Sequence, residues 1–173
     1  MRSNGFKVPP LSTETIFSTA NEIRKRLHPS ASHFIDIVRV LEINLTLLIP
    51  EFVFEVCAID ELGNDHGRTY PEQMRIQIRE DVYERAILEQ GRDRFTLAHE
   101  LGHLVLHPSV PFTHNTTNSS NMKIYENSEW QADTFASAFL MPDELIKDCT
   151  NIDGIVRKCK VSISAAKVRS LRK

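Results

Sequence analysis

Residues 91–108 read Gly-Arg-Asp-Arg-Phe-Thr-Leu-Ala-His-Glu-Leu-Gly-His-Leu-Val-Leu-His-Pro, and the rest of the chain must fold around this stretch. Asp93 can cap the start of a helix, and Pro108 forces that helix to end. Apolar residues lie on nearly every side of the helix, which is typical of a helix that is buried in a core. The stretch therefore predicts a central helix.

Polar residues at helical spacing inside this apolar helix predict a zinc site, because imidazoles and carboxylates are costly to bury without partners. His99 and His103 are four residues apart, so they share one face and lie about 6 Å apart along the axis. Glu100 is rotated by about 100°, which points its carboxylate beside the ion, where it can accept a proton from metal-bound water. His107 lies about 12 Å from His99, too far to bind the same ion, and suits the C-terminal end of a helix.

A third protein ligand is needed if zinc is to keep an open position for water. Residues 126–141 predict a second helix with a buried face, and Glu129 and Asp133 share one side of it. We interpret Glu129 as the third ligand and Asp133 as an acceptor that fixes the tautomer of one ligand histidine. Glu126 is the alternative ligand if this helix begins earlier.

Residues 109–128, between the two helices, are rich in Pro, Thr, Asn and Ser and predict a surface loop over or beside the cleft. His114 and Tyr125 lie in this loop, and either could donate a hydrogen bond to an oxyanion that develops beside the metal. Tyr125 is the preferred candidate because it is close in sequence to Glu129.

Two long blocks carry a family resemblance. Residues 94–107 read Arg-Phe-Thr-Leu-Ala-His-Glu-Leu-Gly-His-Leu-Val-Leu-His, and residues 129–142 read Glu-Trp-Gln-Ala-Asp-Thr-Phe-Ala-Ser-Ala-Phe-Leu-Met-Pro. Both blocks resemble the ImmA/IrrE family of bacterial and phage metallopeptidases. With weaker similarity on either side, the resemblance covers roughly residues 16–171.

The resemblance implies a thermolysin-like site in which His99, His103 and Glu129 bind one zinc ion and Glu100 is the catalytic acid and base. It also implies a partner, a helix-turn-helix repressor that is often encoded alongside and whose cleavage releases transcription of a mobile element or of stress genes. Asp133 stands where many members carry Asn, and either residue can accept a histidine N–H.

A second hypothesis keeps the metal and drops the proteolysis. The chain would then be a zinc-stabilised binding partner of a helix-turn-helix regulator, similar to one component of a toxin–antitoxin pair. Glu100 argues against this, because a purely structural zinc site has no use for a base. Manganese is the alternative ion, since availability in the cell decides occupancy.

The chain has 173 residues, of which 41% are hydrophobic and 25% are charged, enough for one domain with a core of its own. We predict an α+β fold in which a zincin-like metal helix and the second ligand helix pack on a small, mostly antiparallel sheet. The metallopeptidase domain should span residues 13–154, between a flexible tail at 1–12 and a basic helical tail at 155–173. Further helices are predicted at residues 34–43, 81–90 and 143–149, and a first helix, capped by Ser12 or Thr13, is predicted from an apolar stripe that runs from Ile16 to Leu27.

Strands are predicted at Leu45–Ile49 and Phe52–Ala58, which are rich in β-branched and aromatic residues, and at Met74–Arg79, which alternates apolar and polar residues. In thermolysin-like peptidases an edge strand near the metal helix pairs with the extended substrate. Met74–Arg79 is our candidate for this strand, with Arg75, Ile76 and Gln77 as substrate-binding residues, and an ordinary strand of the sheet is the equal alternative.

Charge and cysteine usage bound the partners and the compartment. Residues 155–173 carry seven basic residues and no acidic one, which is better explained by docking on the acidic body of the same chain, or by solvation, than by nucleic-acid binding. No apolar run is long enough for a membrane span, and no secretory signal is evident. The 3 cysteines are widely spaced and suit a reducing compartment, so we expect a cytoplasmic protein.

Overall fold

The computed structural model describes residues 5–27, 34–108 and 122–171. Within these ranges, the chain combines many helices with one small sheet, which confirms the α+β fold in a single domain. In chain order, the α-helices are α1 (Thr13–Leu27), α2 (Ile37–Arg39), α3 (Leu45–Leu48), α4 (Ile59–Leu62), α5 (Glu80–Ile87), α6 (Gly91–Leu106), α7 (Ser128–Leu140), α8 (Asp143–Ile146), α9 (Ile152–Cys159) and α10 (Ile163–Ser170), and the strands are β1 (Val53–Cys57), β2 (Gly67–Tyr70) and β3 (Arg75–Arg79).

Helices α6 and α7 lie directly against each other at the centre of the molecule. Gly102 of α6 makes this close approach feasible, because a Cβ at that position would lie only 3.1 Å from the Cα and the carbonyl oxygen of Ala132 in α7. Both helices bury apolar side chains in one core, and α1 packs against α7 as well. The two elements that carry the predicted metal ligands are therefore held in a fixed relation.

The sheet is mixed rather than mostly antiparallel. β3 lies between the other two strands and pairs in parallel with β1 and antiparallel with β2, because the chain passes through α4 and β2 before it reaches β3. The strand predicted at 52–58 is confirmed as β1. The prediction that Met74–Arg79 is an edge strand is wrong, because β3 is the central strand. The alternation of buried Ile76 and Ile78 shows only that one face of the strand is buried, which is true of central and edge strands alike.

Residues 37–48 form one helical segment, in which a π-helical turn at Val40–Asn44 joins α2 to α3. The carboxylate of Asp36 caps the start of this segment by accepting two backbone N–H groups. The helix predicted at 34–43 is confirmed from residue 37 onward, and the strand predicted at 45–49 is wrong. A short apolar run fits both the helical and the strand period, and here the helix continues.

The N-terminal segment, residues 5–12, is not a free tail, which corrects the flexible tail predicted at 1–12 as far as the described residues go. It runs beside the start of α7, where Lys7 forms an isolated β-bridge with Asn127. The backbone N–H of Val8 donates to the carbonyl of Glu126 at 2.8 Å. The segment is thus attached to Glu126 and Asn127, which lie shortly before Glu129, the predicted third ligand.

The predicted tail boundary at residue 155 falls inside α9, and α9 and α10 share the core of the rest of the chain through Ile155, Cys159, Val161 and Ala166. Arg169 is 1% exposed and donates to the Met141 carbonyl at 3.0 Å and to Asp143 Oδ1 at 2.5 Å. These contacts agree with a basic tail that docks on its own chain. No helix in the described ranges has both the length and the apolar composition needed to cross a bilayer.

Candidate metal centre

Three side chains from α6 and α7 converge on one point. His99 and His103, one turn apart on α6, direct their Nε2 atoms toward each other at 3.0 Å. Glu129, in the first turn of α7, places Oε2 3.5 Å from His99 Nε2 and Oε1 3.4 Å from His103 Nε2. One ligand atom from each of the three residues lies within 4.8 Å of the others. Two imidazoles and one carboxylate are a donor set of catalytic zinc sites, so these residues fit a single divalent ion.

The start of α7 sets the direction of Glu129. Asn127 caps this helix by accepting the Trp130 N–H on its side-chain oxygen at 3.0 Å. Ser128 is fully buried and exchanges two hydrogen bonds with Phe6: its N–H donates to the Phe6 carbonyl and its Oγ accepts the Phe6 N–H, each at 3.1 Å. The first turn of α7 is therefore anchored on both sides of the residue that faces the histidines.

Charge in this cluster is balanced in a way that suits a cation. Burial alone would lower the pKa of His99, but hydrogen bonds with Asp133 and Glu129 outweigh it and raise the pKa to about 10. Burial opposes ionisation of Glu129, yet its bonds with His103 and His99 hold the pKa of that carboxyl well below its usual range. The carboxylate is thus negative and directed at two imidazoles, an environment that favours positive charge between them.

Asp133 lies one turn after Glu129 on α7 and places Oδ1 2.9 Å from His99 Nδ1. This contact leaves the Nε2 atom of His99 free to face the cluster, as expected of a residue that fixes the tautomer. Its contribution to metal affinity stays a prediction.

Glu100 is 7% exposed and is held from β2 rather than from its own helix. The Thr69 hydroxyl lies 2.6 Å from Glu100 Oε2 and 3.0 Å from the Glu100 carbonyl oxygen, and it donates to these acceptors. Gly67, in the same strand, allows this proximity, because a Cβ there would lie 2.9 Å from Glu100 Cγ. Sequence reasoning did not find Thr69, since nothing local to α6 indicates which strand covers it.

His107, at the C-terminal end of α6, is 2% exposed and contacts His103 on the side away from Glu129 and His99. Its Nδ1 atom lies 3.1 Å from His103 Nδ1, and its Nε2 atom lies 3.1 Å from Gln131 Oε1. Burial, and then the nearby charge of His103, lower the pKa of His107 to about 4, so the ring is neutral near pH 7. The four-residue spacing of His103 and His107 in the sequence indicates their contact, whereas nothing in the sequence indicates the contact of His107 with Gln131.

Three residues of the segment before α7 are candidates for the site, and two of them lie in the described part of the chain. Glu126, the alternative ligand, places Oε2 3.1 Å from the Lys123 N–H and Oε1 3.3 Å from Lys7 Nζ, so it is engaged away from the histidines. The Tyr125 ring lies beside the Lys123 ammonium, 5.7 Å from Nζ to the ring centroid, and is 39% exposed. A role for Tyr125 at an oxyanion stays a prediction. His114 lies outside the described residues.

The substrate-binding residues predicted on β3 lie away from a free strand edge. Ile76 is fully buried in the core, and Gln77 Nε2 donates to Glu55 Oε2 of β1 at 2.8 Å. Arg75 Nη1 lies 3.6 Å from the same carboxylate. These three residues were chosen because β3 was expected at an edge, and its central position removes that basis.

Comparison with known proteins gives one match to a family model. Residues 59–170 match the Peptidase_M78 family, described as the IrrE N-terminal-like domain. The match includes the metal helix, the Glu129 helix and β2, and it extends to the end of α10. A search of curated proteins finds no match.

Proposed function

The chain belongs to the ImmA/IrrE family of metallopeptidases, and from this premise we propose that it is a zinc-dependent endopeptidase with His99, His103 and Glu129 as ligands. The observation that carries the proposal is the convergence of these three side chains, with a buried carboxylate, Glu100, adjacent in sequence to one of them. A structural zinc site would close with a fourth protein ligand and would not need this carboxylate.

Each residue has a task in the proposed hydrolysis. A zinc ion at the three ligands would lower the pKa of its water toward about 7 and polarise the scissile carbonyl. Glu100 accepts a proton from the attacking water and transfers it to the leaving amine nitrogen, while the Thr69 hydroxyl holds the carboxylate in position. Asp133 keeps His99 in the tautomer that presents Nε2 to the metal.

We propose that the substrate pairs with β2 rather than with β3, at the edge of β2 that faces no other described strand. Among the described strands, β2 pairs only with β3, and it packs against α6 through the contact of Thr69 with Glu100. An extended peptide that adds to this edge would pair by main-chain hydrogen bonds and lie next to Glu100. Such pairing reads few side chains, so specificity must come from elsewhere on the substrate.

The proposed substrate is a helix-turn-helix repressor encoded beside the gene, which is a partner that the family resemblance implies. The test is a paired measurement on purified wild type and Glu100→Gln: metal content, and cleavage of the co-encoded repressor. We expect equal zinc in both proteins and cleavage by the wild type alone.

The matched control is Glu126→Gln, which makes the same chemical change in a carboxylate that faces Lys7 instead of the cluster. It should keep both zinc and cleavage. Retained turnover in Glu100→Gln would remove Glu100 from the role of base. Bound metal without cleavage by the wild type would favour the non-proteolytic binding partner.

A further inference from the structure

A continuous chain of hydrogen bonds runs from the candidate metal ligands to the N-terminal segment. It begins at His103 Nδ1, passes through both ring nitrogens of His107 at 3.1 Å on each side, and reaches the side-chain amide of Gln131. Gln131 Nε2 donates at 2.8 Å to the carbonyl oxygens of both Pro9 and Tyr125. The chain thus ends on two backbone acceptors.

These backbone acceptors fix the position of every proton along the chain. A carbonyl oxygen can only accept, so the amide nitrogen of Gln131 faces the two carbonyls and its oxygen faces His107. That oxygen requires a proton on His107 Nε2, and the neutral ring then has an acceptor at Nδ1. His103 must place its proton on Nδ1, which leaves the lone pair of Nε2 directed at the cluster.

We propose that His107 is a positioning residue that holds His103 in its metal-binding tautomer, and that Gln131 sets the polarity of His107 from the N-terminal segment. The inference rests on the proposed function in so far as a metal binds at His103. It differs from the arrangement at His99, where the carboxylate of Asp133 serves the same purpose. The second histidine is oriented by a neutral imidazole.

The burial of His107 and Gln131 keeps water from replacing their hydrogen-bond partners. His107 is 2% exposed and Gln131 is fully buried, so bulk water has little access as a substitute acceptor. The Phe6 ring lies edge-on to the His107 ring, with 6.0 Å between centroids, and covers it from the N-terminal segment. The backbone bonds of Phe6 with Ser128 hold that cover in place. The N-terminal segment therefore belongs to the support of the metal site.

The first test reads the proton positions in the wild type by nitrogen-15 NMR of the histidine rings, with and without zinc. We expect His107 as the neutral Nε2–H tautomer in both states and His103 with its proton on Nδ1. An Nδ1–H tautomer or a doubly protonated ring at His107 near pH 7 would overturn the proposal. This readout needs neither a variant nor peptidase activity.

The second test compares zinc affinity in two variants of similar size. His107→Asn keeps an acceptor atom two bonds from Cβ, where Nδ1 stood, whereas His107→Leu places a methyl group there. We expect His107→Leu to lose about 10- to 100-fold in zinc affinity and His107→Asn to recover most of it. Equal losses in both variants would assign the effect to packing of the ring, and no loss in His107→Leu would also overturn the proposal.

Gln131→Met tests the second half of this hydrogen-bond chain, because Met has a similar volume but lacks the amide oxygen that accepts from His107 Nε2–H. We expect His107 to become a mixture of tautomers, whereas a pure Nε2–H tautomer would show that Gln131 does not set it. Ser137→Ala, at another buried position of α7, is the control and should leave the spectrum of His107 unchanged. A wild type that binds no zinc would defeat the proposed function, while the tautomer of His107 would still be decided.

Discussion

Thr69 is the residue on which the direction of the Glu100 carboxylate depends. It is 3% exposed, and its hydroxyl is the polar group that β2 presents to Glu100. Hydrogen bonds to charged groups contribute about 1.5 to 3 kcal/mol when their partner is buried. Without this donor, the buried carboxylate of Glu100 loses a stabilising hydrogen bond, and its side chain is held less firmly in one orientation.

We expect Thr69→Val to lower kcat by about 10-fold or more with little change in zinc content, because Val has the shape of Thr without the hydroxyl. The measurement is single-turnover cleavage of the proposed repressor substrate, with zinc quantified in the same samples. Thr69→Ser retains the hydroxyl and serves as the control, so it should stay close to the wild type. Equal rates for the Val and Ser variants would show that the hydroxyl is not needed.

At the scale of single residues, the sequence predicted contacts within and between two helices better than contacts with the rest of the fold. His99 and His103 follow from the four-residue step of a helix, and Glu129 with Asp133 from the same step on the next helix. The bond from Thr69 to Glu100 spans 31 residues of chain. No local pattern encodes such a contact, because it depends on which strand packs against α6.

Among the elements, the junction of β3, α5 and α6 is held by two arginines and two carboxylates. Asp81 Oδ1 accepts from Arg79 Nε at 2.6 Å, and Oδ2 accepts from Arg85 Nη1 at 2.9 Å. Arg85 also donates to Asp93 in the first turn of α6 at 2.9 Å. The network thus fixes the entry of the metal helix relative to the sheet.

This junction predicts a loss of stability in acid. The hydrogen bond from Arg79, followed by that from Arg85, holds the pKa of Asp81 well below its usual value of 3.8. The unfolded chain therefore takes up a proton at a higher pH than the folded one, so the contribution of Asp81 is complete above about pH 4 and declines as the pH falls. Asp81→Asn should lower the free energy of unfolding by about 1 to 2 kcal/mol at pH 7 and weaken its dependence on pH below 4.

Urea unfolding of the metal-free protein at a series of pH values measures this effect without a contribution from metal release. Asp60→Asn, at an exposed carboxylate in α4, is the matched control and should leave the curve unchanged. A parallel pH dependence in Asp81→Asn and the wild type would contradict the assignment.

The sequence predicted secondary structure correctly where the apolar pattern repeated over enough residues to distinguish a helix from a strand. The apolar and polar alternation at 74–79 identified a strand but not its neighbours, because register and partners are set by the connections, here α4 and β2. The segment 45–49 was assigned to a strand on composition alone, and its place at the end of a longer helix overrode that preference.

Over the whole molecule, both ends of the described chain complete the core around α6 and α7. Composition suggested two tails, because charged residues are usually solvated and the last helices are rich in them. Arg94 shows how the last helices are joined to this core: its side chain is 1% exposed and donates to the carbonyls of Lys160 at 3.0 Å and Ile35 at 2.8 Å. A buried guanidinium with backbone acceptors is an internal connection, which sequence alone does not distinguish from a solvated charge.

We expect α9 and α10 to unfold together with the metal helix, since Arg94 joins α6 to the turn between them. Arg94→Met removes both hydrogen bonds and leaves the carbonyls of Ile35 and Lys160 without this donor, so it should lower the free energy of unfolding by about 2 to 4 kcal/mol. Arg157→Met, an exposed position on α9, is the control and should change stability by less than about 0.5 kcal/mol. The measurement follows the single tryptophan, Trp130 in α7, and the helical circular dichroism through thermal unfolding.

Coincident transitions in the wild type, shifted together in Arg94→Met, are the result that one cooperative core requires. An early loss of helical signal with the Trp130 signal unchanged would mean that residues 155–171 unfold by themselves. The boundary predicted at residue 155 would then hold in energetic terms despite the shared core. The choice matters for the candidate site, because Arg94, which is hydrogen-bonded to the turn between α9 and α10, lies on the same helix as His99.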